Sequence, residues 1–209
     1  MTIRQQDFVL DAIREVRAIP VLRSSSAENA IETAVALATG GLSIVEITYS
    51  VPDAAAVIEE LAAIPGLIVG AGSVTSEAQA EEAIRAGAQF LVSPVSPPWL
   101  FGIADDASLA AIPGAATPTE IWHAHVLGAS AVKVFPAARL GGAAFILDLL
   151  APLPDLKLIA TGGVTIDSAA ELLSAGCLAV GLGSIHSDAS LGATIEARAR
   201  LVAERLRVL

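Results

Sequence analysis

Two ionisable residues stand where a β-strand would otherwise be wholly apolar: Glu46 in Ile44-Val45-Glu46-Ile47-Thr48 and Lys133 in Ala131-Val132-Lys133-Val134-Phe135. Successive side chains of an extended chain alternate between two faces, so Glu46 and Thr48 lie opposite Val45 and Ile47. The same parity sets Lys133 opposite Val132 and Val134. If the valines pack beneath a covering layer, both ionisable side chains point inward. The chain has only two lysines, Lys133 and Lys157, against ten arginines, and Lys157 opens a run after a Pro-rich turn as a solvated flank. Desolvation favours the neutral form of an amine, whose lone pair can attack a carbonyl carbon and form a Schiff base; an arginine cannot do this. A carboxylate facing such an amine can move the accompanying protons. The competing reading is a buried Lys133–Glu46 salt bridge that merely fills space. Such pairs are weak sources of stability, whereas active sites collect perturbed groups, so the catalytic reading is preferred.

The elements that would position this pair repeat along the chain. Gly40, Gly87, Gly128 and Gly176 each follow an apolar-periodic helical stretch and precede a β-branched run, as a left-handed helix-ending residue would. The runs they introduce are 44–48, 90–94, 131–136 and 178–184. Between them lie apolar runs at 19–22, 68–73, 109–113 and 158–162, which makes eight strands. Helix starts fill the gaps: Ser25 with Glu28 has the capping-box spacing, and Thr117-Pro118-Thr119-Glu120 adds proline at the first helical position. Eight alternating strand–helix units without a linker predict one domain over 1–209, a closed (β/α)8 TIM barrel rather than an open doubly wound sheet. The helix around Phe8 to Val16 precedes the first strand and is expected to cap the bottom of the barrel.

Barrel enzymes build their sites at the C-terminal ends of the strands. There the sequence places Thr161-Gly162-Gly163 after the seventh run and Gly181-Leu182-Gly183-Ser184 in the eighth. Loops at this place commonly bind phosphate through unobstructed backbone N–H groups, although glycine can also serve a tight turn. Gly70-Ala71-Gly72-Ser73 and Ile112-Pro113-Gly114 end the third and fifth runs with small residues that leave room for a substrate.

Taken together, these segments resemble a known family, the 2-keto-3-deoxy-6-phosphogluconate aldolases, including those that cleave 4-hydroxy-2-oxoglutarate. The resemblance covers essentially the whole chain: Ile19-Pro20-Val21-Leu22-Arg23, Val45-Glu46-Ile47-Thr48, Gly70-Ala71-Gly72-Ser73-Val74, Ser93-Pro94, Ile112-Pro113-Gly114, Val132-Lys133-Val134-Phe135-Pro136-Ala137 and Thr161-Gly162-Gly163. It implies that Lys133 is the Schiff-base residue and Glu46 the acid/base. By the same resemblance Gly162, Gly163, Gly183 and Ser184 hold a phosphate, Arg23, Ser73 and Thr161 position the keto-acid portion, and Thr48 and Pro94 complete the substrate-binding set. It further implies a homotrimer that needs no metal or other cofactor. Two departures bear on this. Some members carry an arginine after the glutamate-bearing strand, where this chain reads Thr48-Tyr49-Ser50-Val51-Pro52, which leaves Arg23 as the expected cation for the substrate carboxylate, with Arg139 as the other candidate. Ser73 stands where threonine is usual, which keeps the hydroxyl but loosens its rotamer.

Other functions fit less well. His123 and His125 are two apart on a predicted helix and face apart, so with His186 they make no metal site, and a metal-dependent aldolase is disfavoured. A phosphate-binding barrel isomerase or epimerase would leave the inward lysine without a covalent role. A 2-keto-3-deoxy-6-phosphogalactonate aldolase is an alternative within the family. A non-catalytic trimeric scaffold, with Pro97-Pro98-Trp99-Leu100-Phe101-Gly102-Ile103 as an interaction patch, is a further one, against which stands the retention of both Lys133 and Glu46. The net charge of -10 offers no basic stripe for nucleic acid and would repel an anionic membrane surface. The single cysteine, Cys177, lies in an apolar run and reads as buried packing, in keeping with a reducing cytoplasm, and no signal core is evident near Met1.

Overall fold

The β-branched and apolar runs form strands and the amphipathic stretches between them form helices, in strict alternation. A computed structural model describes residues 5–207. The order is α1 (Gln5–Val16), β1 (Ala18–Leu22), α2 (Ala27–Thr39), β2 (Ile44–Thr48), α3 (Ala54–Ala62), β3 (Ile68–Gly72), α4 (Glu77–Arg85), β4 (Phe90–Val92) and α5 (Pro98–Asp106), continuing to β5 (Ala110–Ile112), β6 (Gly114–Ala115), α6 (Pro118–Val126) and β7 (Val132–Val134). After a 3-10 turn at Ala137–Arg139 come α7 (Ala143–Leu150), β8 (Leu158–Thr161), α8 (Ile166–Ser174), β9 (Ala179–Leu182) and, beyond a short turn, α9 (Ile195–Arg207).

Every strand pairing is parallel, in the order β5-β4-β3-β2-β1-β9-β8-β7-β6. The two ends of that order, β5 and β6, are consecutive pieces of one segment interrupted at Pro113, so the ring is an eight-stranded α/β barrel joined through that segment. The interruption is the one departure from the eight predicted strands. Proline has no N–H to give the ladder, and Pro113 instead accepts from the Lys133 N–H through its carbonyl, at 2.8 Å.

Parity holds around the barrel. Val45, Ile47, Val132 and Val134 belong to the layer beneath the outer helices. Ile19, Ile44, Ile68, Phe90, Ala110, Ala131, Ile159 and Ala179 form an interior layer at the N-terminal ends of the strands. Val9, Leu10 and Ile13 of α1 pack into that layer, so the predicted bottom cap is present. Burying each of these side chains contributes roughly 1.5–3 kcal/mol, and the plug leaves the C-terminal mouth as the open end.

Two local expectations are corrected. Gly40 is right-handed (φ -76°), and Gly41 takes the left-handed position at +100°. Gly40 is small because α9 crosses it: a Cβ there would overlap Ala199 and the Glu196 carbonyl. The cap of α2 is Ser26, which accepts from the Asn29 N–H, not Ser25 with Glu28. The box at Thr117 and Glu120 forms as expected, and its two backbone donors hold the Glu120 carboxyl below the usual range. The apolar run from Pro97 is mainly core: Leu100 and Ala104 are buried, and Trp99, Phe101 and Ile103 pack against the same layer. Burial pushes the Cys177 thiol up to about 12. No helix among the described residues is long and apolar enough to cross a membrane.

Candidate active site

Glu46 and Lys133 are placed by the strand parity that buries their neighbours. Each sits one step above the bottom interior layer, Glu46 above Ile44 and Lys133 above Ala131. Lys133 Nζ lies 3.6 Å from Glu46 Oε1, and both side chains are 4% exposed. Glu46 Oε1 has no hydrogen-bond partner. A purely structural buried ion pair needs its lone pairs satisfied to offset the desolvation of both charges. An acceptor left open beside an amine is instead suited to take a proton from a bound substrate.

The third strand makes room for this carboxylate. In register, Glu46 is paired with Gly70 and Thr48 with Gly72. A Cβ on Gly72 would overlap the Glu46 carboxylate, and one on Gly70 would overlap the Phe90 ring. The small residues of β3 therefore accommodate protein side chains rather than substrate. Ser73, half-buried just beyond, holds a left-handed backbone at φ +56°, a conformation that costs a non-glycine residue of order 1 kcal/mol and is typical of functional turns.

A cavity of about 270 Å³ opens at the mouth, lined by Val21, Arg23, Phe135, Thr161, Gly162, Gly163, Val164, Thr165, Gly183 and Ser184. It brings together six of the sequence-predicted residues. Gly162 and Gly163 have φ of +94° and +72°; a side chain on either would be strained, and would also overlap Phe135 or Ala138. Arg23 belongs to this group, because its Nη1 lies 3.6 Å from the point a Gly183 Cβ would occupy. The family resemblance implies a place for Arg23 at the keto-acid end; the geometry sets it against the glycine loops. His186, just beyond Ser184, has its imidazole held below the usual range by burial, then by the Arg198 and Arg23 guanidiniums.

The remaining candidates fall elsewhere. The Thr48 hydroxyl donates to the Leu22 carbonyl at 2.8 Å and pairs with Ser50 Oγ at 2.6 Å, so it ties β1 to β2 at the mouth. Pro94 lines a neighbouring cavity of about 330 Å³ with Ser96, Gly114 and Phe135. Arg139 is exposed in its turn and lines neither cavity. Phe135, absent from the predicted set, is the link: its ring centroid is 5.6 Å from Lys133 Nζ, and it forms a wall of both cavities. Its position two residues after Lys133 was the available signal, since that spacing shares a face. A cavity of about 580 Å³ lies outside the barrel between α3 and α4 and contains neither Lys133 nor Glu46. Among the described residues no group of three or more His, Cys, Asp or Glu side chains is arranged to hold a metal.

An interior lysine and carboxylate under a barrel mouth lined by glycine loops have the form of a barrel enzyme's active site. Residues 9–198 match the family model described as KDPG and KHG aldolase. The chain is 38% identical over 170 residues to the 2-dehydro-3-deoxy-phosphogluconate aldolase of Treponema pallidum, covering 79% of this chain and 80% of that one. It superposes with a TM-score of 0.83 on the 2-keto-3-deoxy-6-phosphogluconate aldolase of Zymomonas mobilis with 3-phosphoglycerate, at 29% identity over 93% of this chain and 94% of the other. The KDPG aldolase of Legionella pneumophila, solved with pyruvate captured as a covalent carbinolamine intermediate, gives 0.81 at 27% identity over 95% and 96%. The chain belongs to the KDPG and KHG aldolase family and is an aldehyde-lyase acting on small keto acids.

Proposed function

We propose that the protein cleaves 2-keto-3-deoxy-6-phosphogluconate to pyruvate and glyceraldehyde 3-phosphate through a Schiff base on Lys133. The observation that carries this reading is the buried Lys133–Glu46 pair with its unbonded Oε1, set beside a cavity of phosphate-suited donors. The Lys133 amine adds to the C2 ketone, and loss of water gives an iminium. Glu46 accepts the proton of the C4 hydroxyl, the C3–C4 bond breaks, and its electron pair passes into the iminium to leave an enamine. The aldehyde departs, Glu46 returns the proton to C3, and hydrolysis frees pyruvate and the amine. The covalent pyruvate adduct of the Legionella relative supports the first step.

Arg23, Gly162, Gly163, Gly183 and Ser184 receive the phosphate, with Thr161 at the edge of the same cavity. The keto-acid carboxylate then falls to neutral donors, of which Ser73 is the best placed because it follows Gly72, against which Glu46 packs. 4-Hydroxy-2-oxoglutarate, which yields pyruvate and glyoxylate, is a second substrate by the same chemistry without use of the phosphate donors. The protein acts as a homotrimer, a reading supported by exposed Trp122 and Val126 one turn apart on α6 and by exposed Val95. The deciding experiment is coupled pyruvate release from the gluconate-derived, galactonate-derived and 4-hydroxy-2-oxoglutarate substrates. The highest kcat/KM is expected for the first, and preference for an unphosphorylated substrate would overturn the assignment.

A further inference from the structure

The wall of the anion cavity formed by Gly183 and Ser184 belongs to the connection between β9 and α9, which has no strand partner to fix it. The connection is shaped by its own turns: the Ser184 carbonyl accepts from the Ser187 and Asp188 N–H groups, both at 2.9 Å, and Asp188 Oδ1 accepts from the Ser190 N–H at 3.0 Å. These bonds shape the loop without locating it on the barrel. Ile185 and Leu191 seat the loop on the outer core, and its polar tie to the barrel is a single side chain. Arg198 Nε donates to the Gly192 carbonyl at 2.8 Å, and Arg198 Nη1 donates to the His186 carbonyl at 2.5 Å. One planar guanidinium thus pins the loop near both of its ends, in a partly buried place where charge-assisted bonds are strong.

The helix that carries Arg198 is itself anchored. Ala199, Val202 and Leu206 are buried in the outer core, and α9 crosses α2 at Gly40, where no side chain fits. A rigid line therefore runs from the core through α9 and Arg198 to His186, two residues from Ser184. Resting on the reading of the cavity as a phosphate site, we propose that Arg198 is the positioning residue that sets Gly183 and Ser184 for the substrate phosphate and so makes the enzyme selective for phosphate-terminated keto acids. Arg198 touches neither the substrate nor the Lys133–Glu46 pair. Arg198 and Arg23 both lie near the His186 imidazole and, after burial, disfavour its protonation.

The test is the steady-state kinetics of Arg198→Ala and Arg198→Lys with 2-keto-3-deoxy-6-phosphogluconate, set beside exchange of pyruvate methyl protons, which needs no phosphate. Loosening a loop by about 1 Å at a positioned group has large effects, so Arg198→Ala is expected to raise KM for the phosphorylated substrate about tenfold or more. It should weaken competition by inorganic phosphate to a similar degree while kcat and pyruvate exchange stay within about twofold. Lysine keeps the charge but lacks the fork that reaches both carbonyls, and should fall between the two. A variant that loses kcat and exchange together with KM, or one with unchanged KM, overturns the proposal. If alanine prevents folding, the lysine variant is judged on the same split. Failure of the wild-type protein to exchange pyruvate protons would instead sink the reading of the site itself, so the two failures are distinguishable.

Discussion

Gly72→Ala adds a single methyl group, yet the structure places that methyl on the Glu46 carboxylate, to which proton transfer is assigned above. It would stand 2.6 Å from the Glu46 carboxyl carbon, about 1 Å inside the carbon–carbon optimum. Glu46 is held by β2, whose pairing with β1 and β3 leaves its backbone no freedom to retreat. The side chain must therefore swing by about 1 Å, and a displacement of that size at a catalytic group can cost on the order of 10²-fold in rate, equivalent to about 2.7 kcal/mol of barrier. Overpacking of the interior should cost a further ~1–3 kcal/mol of stability. The assay is kcat by coupled pyruvate release, with thermal unfolding to show that the barrel persists and borohydride trapping to show that Lys133 still reacts. The expected outcome is a folded protein that still traps pyruvate but turns over slowly. A kcat within about threefold of the parent would mean that Glu46 need not occupy its present position, and the role assigned to it would be wrong.

Glu46→Gln should retain keto-acid binding but lower kcat by ~10²-fold or more, and near-normal exchange of pyruvate methyl protons in that variant would assign proton transfer to another group. Arg23→Ala should raise KM for the phosphorylated substrate and spare 4-hydroxy-2-oxoglutarate, because Arg23 lies against Gly183; an equal rise for both would return Arg23 to the keto-acid carboxylate. Burial raises the Cys177 thiol to about 12, so thiolate is scarce at pH 8 and an aromatic disulfide reagent should leave the native protein unlabelled. Denatured protein should release one equivalent, and rapid labelling of the native form would contradict the packing role.

Alternation was enough to read the centre of the site. Val45 and Ile47 flank Glu46, and Val132 and Val134 flank Lys133, so once the valines are buried outside the barrel both ionisable groups must point inside. The same rule, carried two residues further, reaches Phe135. What sequence could not supply was tertiary contact. Gly40 and Gly41 are alike on paper, and only the crossing of α9 decides which one must lack a side chain and which must turn left-handed. Ser25 has the box spacing, but α2 begins one residue later than that spacing implies and Ser26 makes the cap. Gly72 reads as space for substrate along its own strand, and only the reach of the Glu46 side chain across the β2–β3 pair shows that the space is filled. Arg23 was correctly placed at a strand end, while its neighbour depended on β1 lying beside β9, a closure between distant parts of the chain. The Thr48 hydroxyl likewise meets the Leu22 carbonyl only because β1 and β2 lie side by side.

The covalent link to the keto acid proposed for Lys133 can be caught chemically. Incubation with pyruvate and borohydride, followed by digestion and peptide mass analysis, tests it directly, because reduction fixes the iminium on the amine that formed it. Loss of activity is expected in step with one reduced pyruvyl adduct per chain, found on the peptide carrying Lys133. No adduct, or an adduct confined to Lys157, would contradict it.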